Sequence, residues 1–233
     1  MAERVDVVVV GLGPGGEEVA GALAEEGLSV VGIERSLVGG ECPYWGCVPS
    51  KMMIRAGNAL AEARRVGTLA GTATVTADWG PVAARIRREA TDTWDDRVAV
   101  DRFEGKGGRF VRGNARVVAA DTVEVDGRLW EASRALVIAT GTVPSIPPIA
   151  GLDSVPYWTN HDAIEADHLP RSMVVLGGGA IGVELAQVFA RFGVSVTVVE
   201  GADRLLPLEE PEAGVALADV LRQEGLTIRV GAR

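Results

Sequence analysis

The chain has 233 residues, 47% of them hydrophobic and 30 of them glycine, enough for one large domain or for a domain and part of a second and suited to a soluble α/β protein with tight strand–helix turns. A formal net charge of −9 and a pI near 4.9 argue against nucleic acid as a partner. No apolar run has the length of a membrane span, no signal peptide is apparent and two cysteines are too few for a secreted disulfide framework, so the expectation is a cytoplasmic protein with no membrane partner.

Val5 to Val10 is a continuous β-branched run that predicts a buried parallel strand. Gly11-Leu12-Gly13-Pro14-Gly15-Gly16 follows and satisfies G-x-G-x-x-G with Gly11, Gly13 and Gly16. An amphipathic helix through Glu26 comes next, with Val19, Ala20, Leu23 and Ala24 on its apolar side and Gly27 as the stop. A second strand, Leu28 to Ile33, ends at Glu34. Glycine turn, helix N-terminus and acid at strand end together make a dinucleotide-binding βαβ unit, with the pyrophosphate at the helix end and the acid at the ribose hydroxyls.

Gly39 to Lys51 reads GGECPYWGCVPSK and holds the only two cysteines, Cys42 and Cys47. Pro49 suits the first turn of a helix, predicted from Met52 to Arg65. Cys47 then stands just before a helix N-terminus, where the positive end of the dipole favours a thiolate. The pair reads as a redox-active dithiol, or as two buried structural cysteines. Half a zinc site fits poorly, because there is no second cysteine pair and His161 and His168 are far away in sequence. Both histidines read as polar loop or cap residues.

Pro81 to Val100 predicts a helix with Arg85, Arg87, Arg88 and Glu89 on a solvated face. Phe110-Val111, Ala115 to Val118, Thr122 to Val125 and Arg128 to Trp130 alternate with Gly-, Asn- and Asp-containing turns, the pattern of a small antiparallel meander. A buried strand, Ala135 to Ala139, then ends in Thr140-Gly141, and Pro144 to Pro148 reads as a linker. Ser172 to Leu176 is a second buried strand, and Gly177, Gly179 and Gly182 repeat the glycine fingerprint. A helix and the strand Ser195 to Val199 lead to Glu200. The acid lies 23 residues beyond the first glycine in both copies (34 − 11 and 200 − 177), so the chain carries an internal repeat of dinucleotide units. A helix (Glu212 to Glu224) and a strand (Leu226 to Val230) follow. The expected architecture is α/β: two Rossmann-like units with parallel sheets and a small antiparallel β-meander, the second unit incomplete, divided as 1–150 and 151–233.

Two dinucleotide fingerprints with a CxxxxC between them resemble the class I pyridine nucleotide–disulfide oxidoreductases, which include dihydrolipoamide dehydrogenase, glutathione reductase and mercuric reductase. The resemblance runs the length of the chain. It implies an FAD unit at Gly11, Gly13, Gly16 and Glu34, with Gly40 in the redox segment and Ala139-Thr140-Gly141 closing over the FAD. It implies an NAD(P) unit at Gly177, Gly179, Gly182 and Glu200. Cys47 matches the flavin-proximal sulfur and Cys42 the interchange thiol that attacks substrate. Lys51 and Glu184 match the pair beside the flavin, although Glu184 also reads as an ordinary surface residue. The implied activity passes electrons from NADH through FAD to the Cys42–Cys47 disulfide, and on to a disulfide, quinone or similar small-molecule acceptor. A carboxylate at Glu200 favours NAD over NADP by repelling a 2′-phosphate, and Arg204 is the single arginine of the segment beyond it.

Members of this class are about twice this length and add an interface domain, with a His–Glu pair supplied across a homodimer. No residue here matches that pair, so the expectation is the N-terminal half of a flavoprotein, inactive alone and homodimeric when complete. The alternative is a non-catalytic flavin- or nucleotide-binding fragment or truncated paralogue. An NADH oxidase or ferredoxin-reductase type of flavoprotein shares both nucleotide units but lacks this CxxxxC. Pro43-Tyr44-Trp45 departs from the small or amide residues usual between the cysteines, and the two aromatics read either as packing or as neighbours of the substrate path.

Overall fold

The computed structural model describes residues Met1 to Ala232. Two compact units emerge, Met1–Cys47 with Glu89–Leu152, and Val48–Arg88 with the residues from Asp153 onward.

In the first unit the strands are β1 (Glu3–Val10), β2 (Val30–Glu34), β3 (Arg109–Arg112), β4 (Arg116–Ala119), β5 (Thr122–Val125) and β6 (Arg128–Ile138). They form one sheet in the order β3-β2-β1-β6-β5-β4. β1 is central and runs parallel to β2 and β6, while β5 lies antiparallel to β4 and β6. The unbroken valine run of β1 has a direct cause. Val8 and Val10 pack on one face with Val31, Ile33 and Trp130, and Val7 and Val9 on the other with Leu12, Ala20 and Phe103. A strand covered on both faces needs no polar alternation. Helix α1 (Pro14–Glu25) covers the second of these faces through Ala20 and Ala24.

Two expectations for this unit change. Phe110-Val111 belongs to β3, which extends the parallel sheet by pairing with β2, so the meander is β4 to β6 alone. The segments Arg128–Trp130 and Ala135–Ala139 are one strand, β6. Its start pairs with β5 and its stretch from Trp130 to Ile138 with β1, with a register shift between Val5 and Val7. Trp130 is fully buried there, which holds the two halves in a single line.

The second unit holds most of α3 (Cys47–Arg64), then α4 (Val66–Leu69) and α5 (Gly80–Arg85). The single helix expected over 81–100 is absent. α5 passes into a π turn (Ile86–Ala90), and Asp92, Thr93 and Trp94 then take positive φ of 47°, 60° and 57° before α6 (Arg97–Gly105). A left-handed residue other than glycine costs roughly 1–2 kcal/mol, so three in succession need anchors on both sides. Thr91 is buried ahead of them. After them Phe103 is buried against Gly32 and Gly108, where an added Cβ would stand 2.9 Å and 2.2 Å from its ring. Tertiary packing of Phe103 thus overrides the helical periodicity.

Later in the second unit come α7 (Asn160–Glu165), β7 (Ser172–Leu176), α8 (Ala180–Arg191), β8 (Ser195–Val199), α9 (Pro211–Gln223) and β9 (Thr227–Arg229). The strands form a parallel sheet in the order β7-β8-β9. α8 buries Val183, Leu185, Ala186, Val188 and Phe189, and the Phe189 ring meets Trp79 at 5.7 Å. Among the described residues β7 is paired on one side only, and its Val174 and Leu176 are 63% and 46% exposed. α7 opens on a capping box: Thr159 Oγ1 accepts from the His161 N–H, and Asp162 accepts from the Thr159 N–H. His161 therefore sits in the first turn of a capped helix.

Candidate active site

The first glycine loop joins β1 to α1. Gly11 has φ of +93°, and a Cβ on it would lie 2.3 Å from the Ala139 carbonyl oxygen and 3.0 Å from the Thr140 Cα. A Cβ on Gly16 would lie 1.9 Å from the Gly11 oxygen and 3.1 Å from the Ala139 Cβ. Ala139 and Thr140 at the end of β6 therefore lie directly against the loop, with the Ala139 N–H donating to the Val10 carbonyl at 2.7 Å. Gly141 follows at φ +63°. Gly13 and Gly15 face open space where a Cβ would stand. The first α1 bond runs from Glu17 N–H to Gly13 O at 2.8 Å, so the N–H groups of Gly15 and Gly16 precede the helical ladder. Open glycines before unpaired helix N–H groups make a cradle that fits the pyrophosphate of a dinucleotide such as FAD.

Glu34 closes this loop from the end of β2. Its Oε2 accepts from the Leu12 N–H at 2.9 Å and its Oε1 from the Ser36 N–H at 2.7 Å. Each carboxylate oxygen keeps acceptor capacity for a ribose hydroxyl.

The cysteine segment is tied to the same loop. The Gly39 N–H donates to Leu12 O at 2.7 Å, and a Cβ on Gly40, where φ is +63°, would lie 2.8 Å from the Gly13 Cα. The close approach requires glycine at position 40, and the positive φ of +104° favours it at position 39. α2 (Glu41–Tyr44) carries Cys42, and Cys47 is the first residue of α3. Both thiols are free, Cys42 half-buried and Cys47 exposed. The hydrogen bond to Cys47 holds the Cys42 thiol above its ordinary pKa, and burial adds to the rise.

The second unit repeats the arrangement. Gly177 has φ of +105°, Gly179 faces open space, and a Cβ on Gly182 would meet Gly177 O at 2.5 Å. Glu200 Oε2 accepts from the Gly178 N–H at 2.6 Å and Oε1 from the Ala202 N–H at 2.7 Å. These donors, Ala202 first and Gly178 second, hold the Glu200 carboxyl below its ordinary pKa. Val183 N–H bonds to Gly179 O at 3.0 Å, so α8 also presents unpaired N–H groups to its glycine loop and fits a second dinucleotide. Arg204 turns back on its own segment and donates to Pro207 O at 2.9 Å. Lys51, in the second turn of α3, pairs with Glu184 of α8 at 2.8 Å, and both side chains are exposed.

Each predicted site residue thus falls in one of two groupings: Gly11, Gly13, Gly16, Glu34, Gly40, Cys42, Cys47 and Ala139 to Gly141 in the first unit, and Lys51, Glu184, Gly177, Gly179, Gly182 and Glu200 in the second. Sequence reasoning missed Asp96. This buried carboxylate accepts from the Val38 N–H at 2.7 Å and pairs with Arg112, which anchors the chain entering the cysteine segment. Nothing in its sequence context marks a residue 58 positions from its partner. Among the described residues no group of three His, Cys, Asp or Glu side chains is placed to hold a metal ion, and no helix is long and apolar enough to cross a membrane.

Residues 5–233 match the family model of the pyridine nucleotide-disulphide oxidoreductases. The chain belongs to this family. It is 32% identical over its whole length to dihydrolipoyl dehydrogenase of Chlorobaculum tepidum, covering 50% of that protein. It is 33% identical over 97% of its length to mercuric reductase of Staphylococcus aureus, covering 41% of it. Among solved structures it superposes on RclA, the HOCl-induced flavoprotein disulfide reductase of Escherichia coli, with a TM-score of 0.83 at 27% identity over 98% of this chain and 49% of that one. A further RclA structure holds Cu(II). The chain spans about half the length of the curated relatives it matches.

Proposed function

We propose that the chain is the nucleotide-binding and redox half of a cytoplasmic flavin disulfide reductase. Its FAD-binding domain, with the redox-active CxxxxC, is 1–150, and 151–233 forms part of the NAD-binding domain. The observation that carries this reading is the seating of Gly39 and Gly40 on the first glycine loop. It supports the reading because the segment carrying Cys42 and Cys47 leaves directly from a glycine loop fit for a dinucleotide.

Bound FAD would supply the exchange between hydride from NADH and an electron pair for sulfur. The protein's own residues bind and position. The Gly13 and Gly15 cradle receives the pyrophosphate, and Glu34 receives the adenosine ribose. Cys47, at the N-terminus of α3, is the flavin-proximal sulfur. Cys42, whose pKa the bond to Cys47 raises, is the sulfur that exchanges as its thiolate with a disulfide or another small-molecule acceptor. Lys51 and Glu184 act as a charge pair beside the ring. Glu200 accepts from the nicotinamide nucleotide's ribose hydroxyls and disfavours a 2′-phosphate, and Arg204 is turned away from relieving that repulsion, so NADH is preferred to NADPH. The complete protein works as a homodimer.

The chain's span of about half its relatives' length favours a second reading, a non-catalytic flavin- or nucleotide-binding fragment in which flavin binds and nicotinamide nucleotide is not turned over. Anaerobic titration of the FAD-loaded chain with NADH separates the two. Starting from the oxidised Cys42–Cys47 pair, two thiols per chain with the first equivalent of NADH and bleaching of the flavin absorbance with the second support the electron path. A flavin spectrum that NADH leaves unchanged defeats it and leaves the binding module.

A further inference from the structure

Tyr44 stands between the two cysteines, and three features of its surroundings set it apart. Its side chain is buried at 6% exposure, whereas Cys42 is half-buried and Cys47 exposed. Its ring packs on Gly39: a Cβ there, where φ is +104°, would lie 3.4 Å from the Tyr44 Cε2 and 3.0 Å from the Pro43 Cγ. Its hydroxyl faces the Asp95 carbonyl at 3.5 Å, at the limit of hydrogen bonding. Asp95 directly follows the three left-handed residues Asp92, Thr93 and Trp94, and is followed by buried Asp96, which holds the Val38 N–H. One segment, in a backbone conformation that non-glycine residues seldom hold in succession, therefore faces the cysteine loop at Val38 before it and at Tyr44 within it. On the other side Gly46 lies tight against Cys42, where a Cβ would meet the Cys42 Cα at 3.4 Å. Burial, and then the charges of Asp96, Glu17 and Asp95, push the Tyr44 phenol above its ordinary pKa and keep it neutral in this packing.

We propose that Tyr44 is a positioning residue for the dithiol: its buried ring, wedged between Gly39 and the Asp92–Asp96 segment, fixes α2 so that the Cys42 and Cys47 sulfurs stay within reach of each other. This rests on the reading of Cys42 and Cys47 as a redox pair. A short loop of six residues permits many separations of its end sulfurs, and holding one of them raises the effective concentration of one thiol at the other. Burial of Tyr44 also removes it from the acceptor's path. The ring is the anchor and the hydroxyl adds little, because the contact to Asp95 is long.

The test is the equilibrium of the full chain with glutathione buffers of graded composition. Closure of the pair forms the Cys42–Cys47 bond and breaks the S–S bond of glutathione disulfide. Two electrons and two protons pass to two glutathione thiols. The fraction closed is read by alkylation and mass, with circular dichroism confirming the fold. Tyr44→Phe keeps the ring and is expected within about twofold of the wild-type equilibrium constant. Tyr44→Ser is expected to lower it about tenfold, or ~30 mV for a two-electron couple. Tyr44→Leu keeps an apolar filling and supplies the answer should the serine variant not fold, with a loss of at least about threefold expected from the poorer fit. Folded leucine or serine variants within twofold of wild type overturn the positioning role alone. A wild-type chain that never closes at any glutathione ratio overturns both this role and the redox-pair reading.

Discussion

The two nucleotide units share one loop and differ in what covers it. In each, an acid at the end of the second strand accepts from the residue after the first glycine and from the residue two positions beyond itself, at 2.9 and 2.7 Å for Glu34 and 2.6 and 2.7 Å for Glu200. In the first unit β6 lies along the far side of β1 and brings Ala139 and Thr140 over the loop, with Val8 and Val9 fully buried. In the second unit the described residues put no strand on the far side of β7, and nothing lies within 4 Å of a Cβ on Gly177. The loop and its acid clamp are therefore local products of a βαβ sequence. Burial of the first strand and closure over the loop come from a partner more than 100 residues away in the chain.

The largest expected break in this comparison comes from alanine at the first glycine of each loop. Both positions have positive φ, and each variant meets a backbone penalty of roughly 1–2 kcal/mol. Gly11→Ala also drives a Cβ into the Ala139 carbonyl, and overpacking against rigid backbone adds about 1–3 kcal/mol. Urea unfolding should show Gly11→Ala as the more damaging of the two and should show FAD binding lost, while Gly177→Ala keeps the smaller penalty. Equal effects would mean that β6 does not cover the first loop in solution.

Truncation of the first strands gives the next effect. Val8→Ala removes fully buried surface and is expected to cost about 1.5–3 kcal/mol, whereas Val174→Ala should change stability by no more than about 0.5 kcal/mol. A large cost at Val174 would show that β7 is covered in solution.

This contrast also marks what was legible in the sequence. The glycine loops, their acids and the strands Ser172–Leu176 and Ser195–Val199 could be read because each is a local pattern of residue types. The pairing of Lys51 with Glu184 came only from resemblance, since 133 residues separate them. Phe110-Val111 could not be placed, because four residues of β-forming sequence fit a meander edge and a parallel edge equally well, and register against β2 decided it. The break at Asp92 to Trp94 was hidden for the same reason. Nothing local marks Thr93 as left-handed, and the cause lies in Phe103 and Gly32. Asp96 and Tyr44 gain their places through burial by distant segments, which no spacing announces.

The acid clamp itself gives a third, smaller effect. Glu200→Ala leaves the Gly178 and Ala202 N–H groups without their acceptor, and losing hydrogen bonds to a charged group is expected to cost about 1–3 kcal/mol. Because the folded-state pKa of Glu200 is depressed, its contribution is complete above the ordinary carboxylate value of about 4.3. The contribution falls away as pH drops through the lower folded value. Wild-type and Glu200→Ala chains should therefore converge in stability on acidification below about pH 4, as followed by urea titration at each pH. A difference between them that stays constant down to pH 2 would show that the carboxylate charge is not what holds the loop.

The smallest stability effect belongs to the pair whose proposed role is the most chemical. Lys51 and Glu184 meet at 2.8 Å, but their side chains are 60% and 41% exposed, and ion pairs in that setting contribute about 0–1 kcal/mol. Lys51→Met should leave the unfolding midpoint nearly unchanged in either unit. If the pair serves the flavin, the same variant should slow reduction of the FAD-loaded chain by NADH by at least about tenfold, since a charge acting on the reacting ring is felt where water is excluded. Stopped-flow reduction beside a urea curve separates the two. A shifted midpoint with an unchanged reduction rate would make Lys51–Glu184 a tie between α3 and α8, and would remove it from the chemistry.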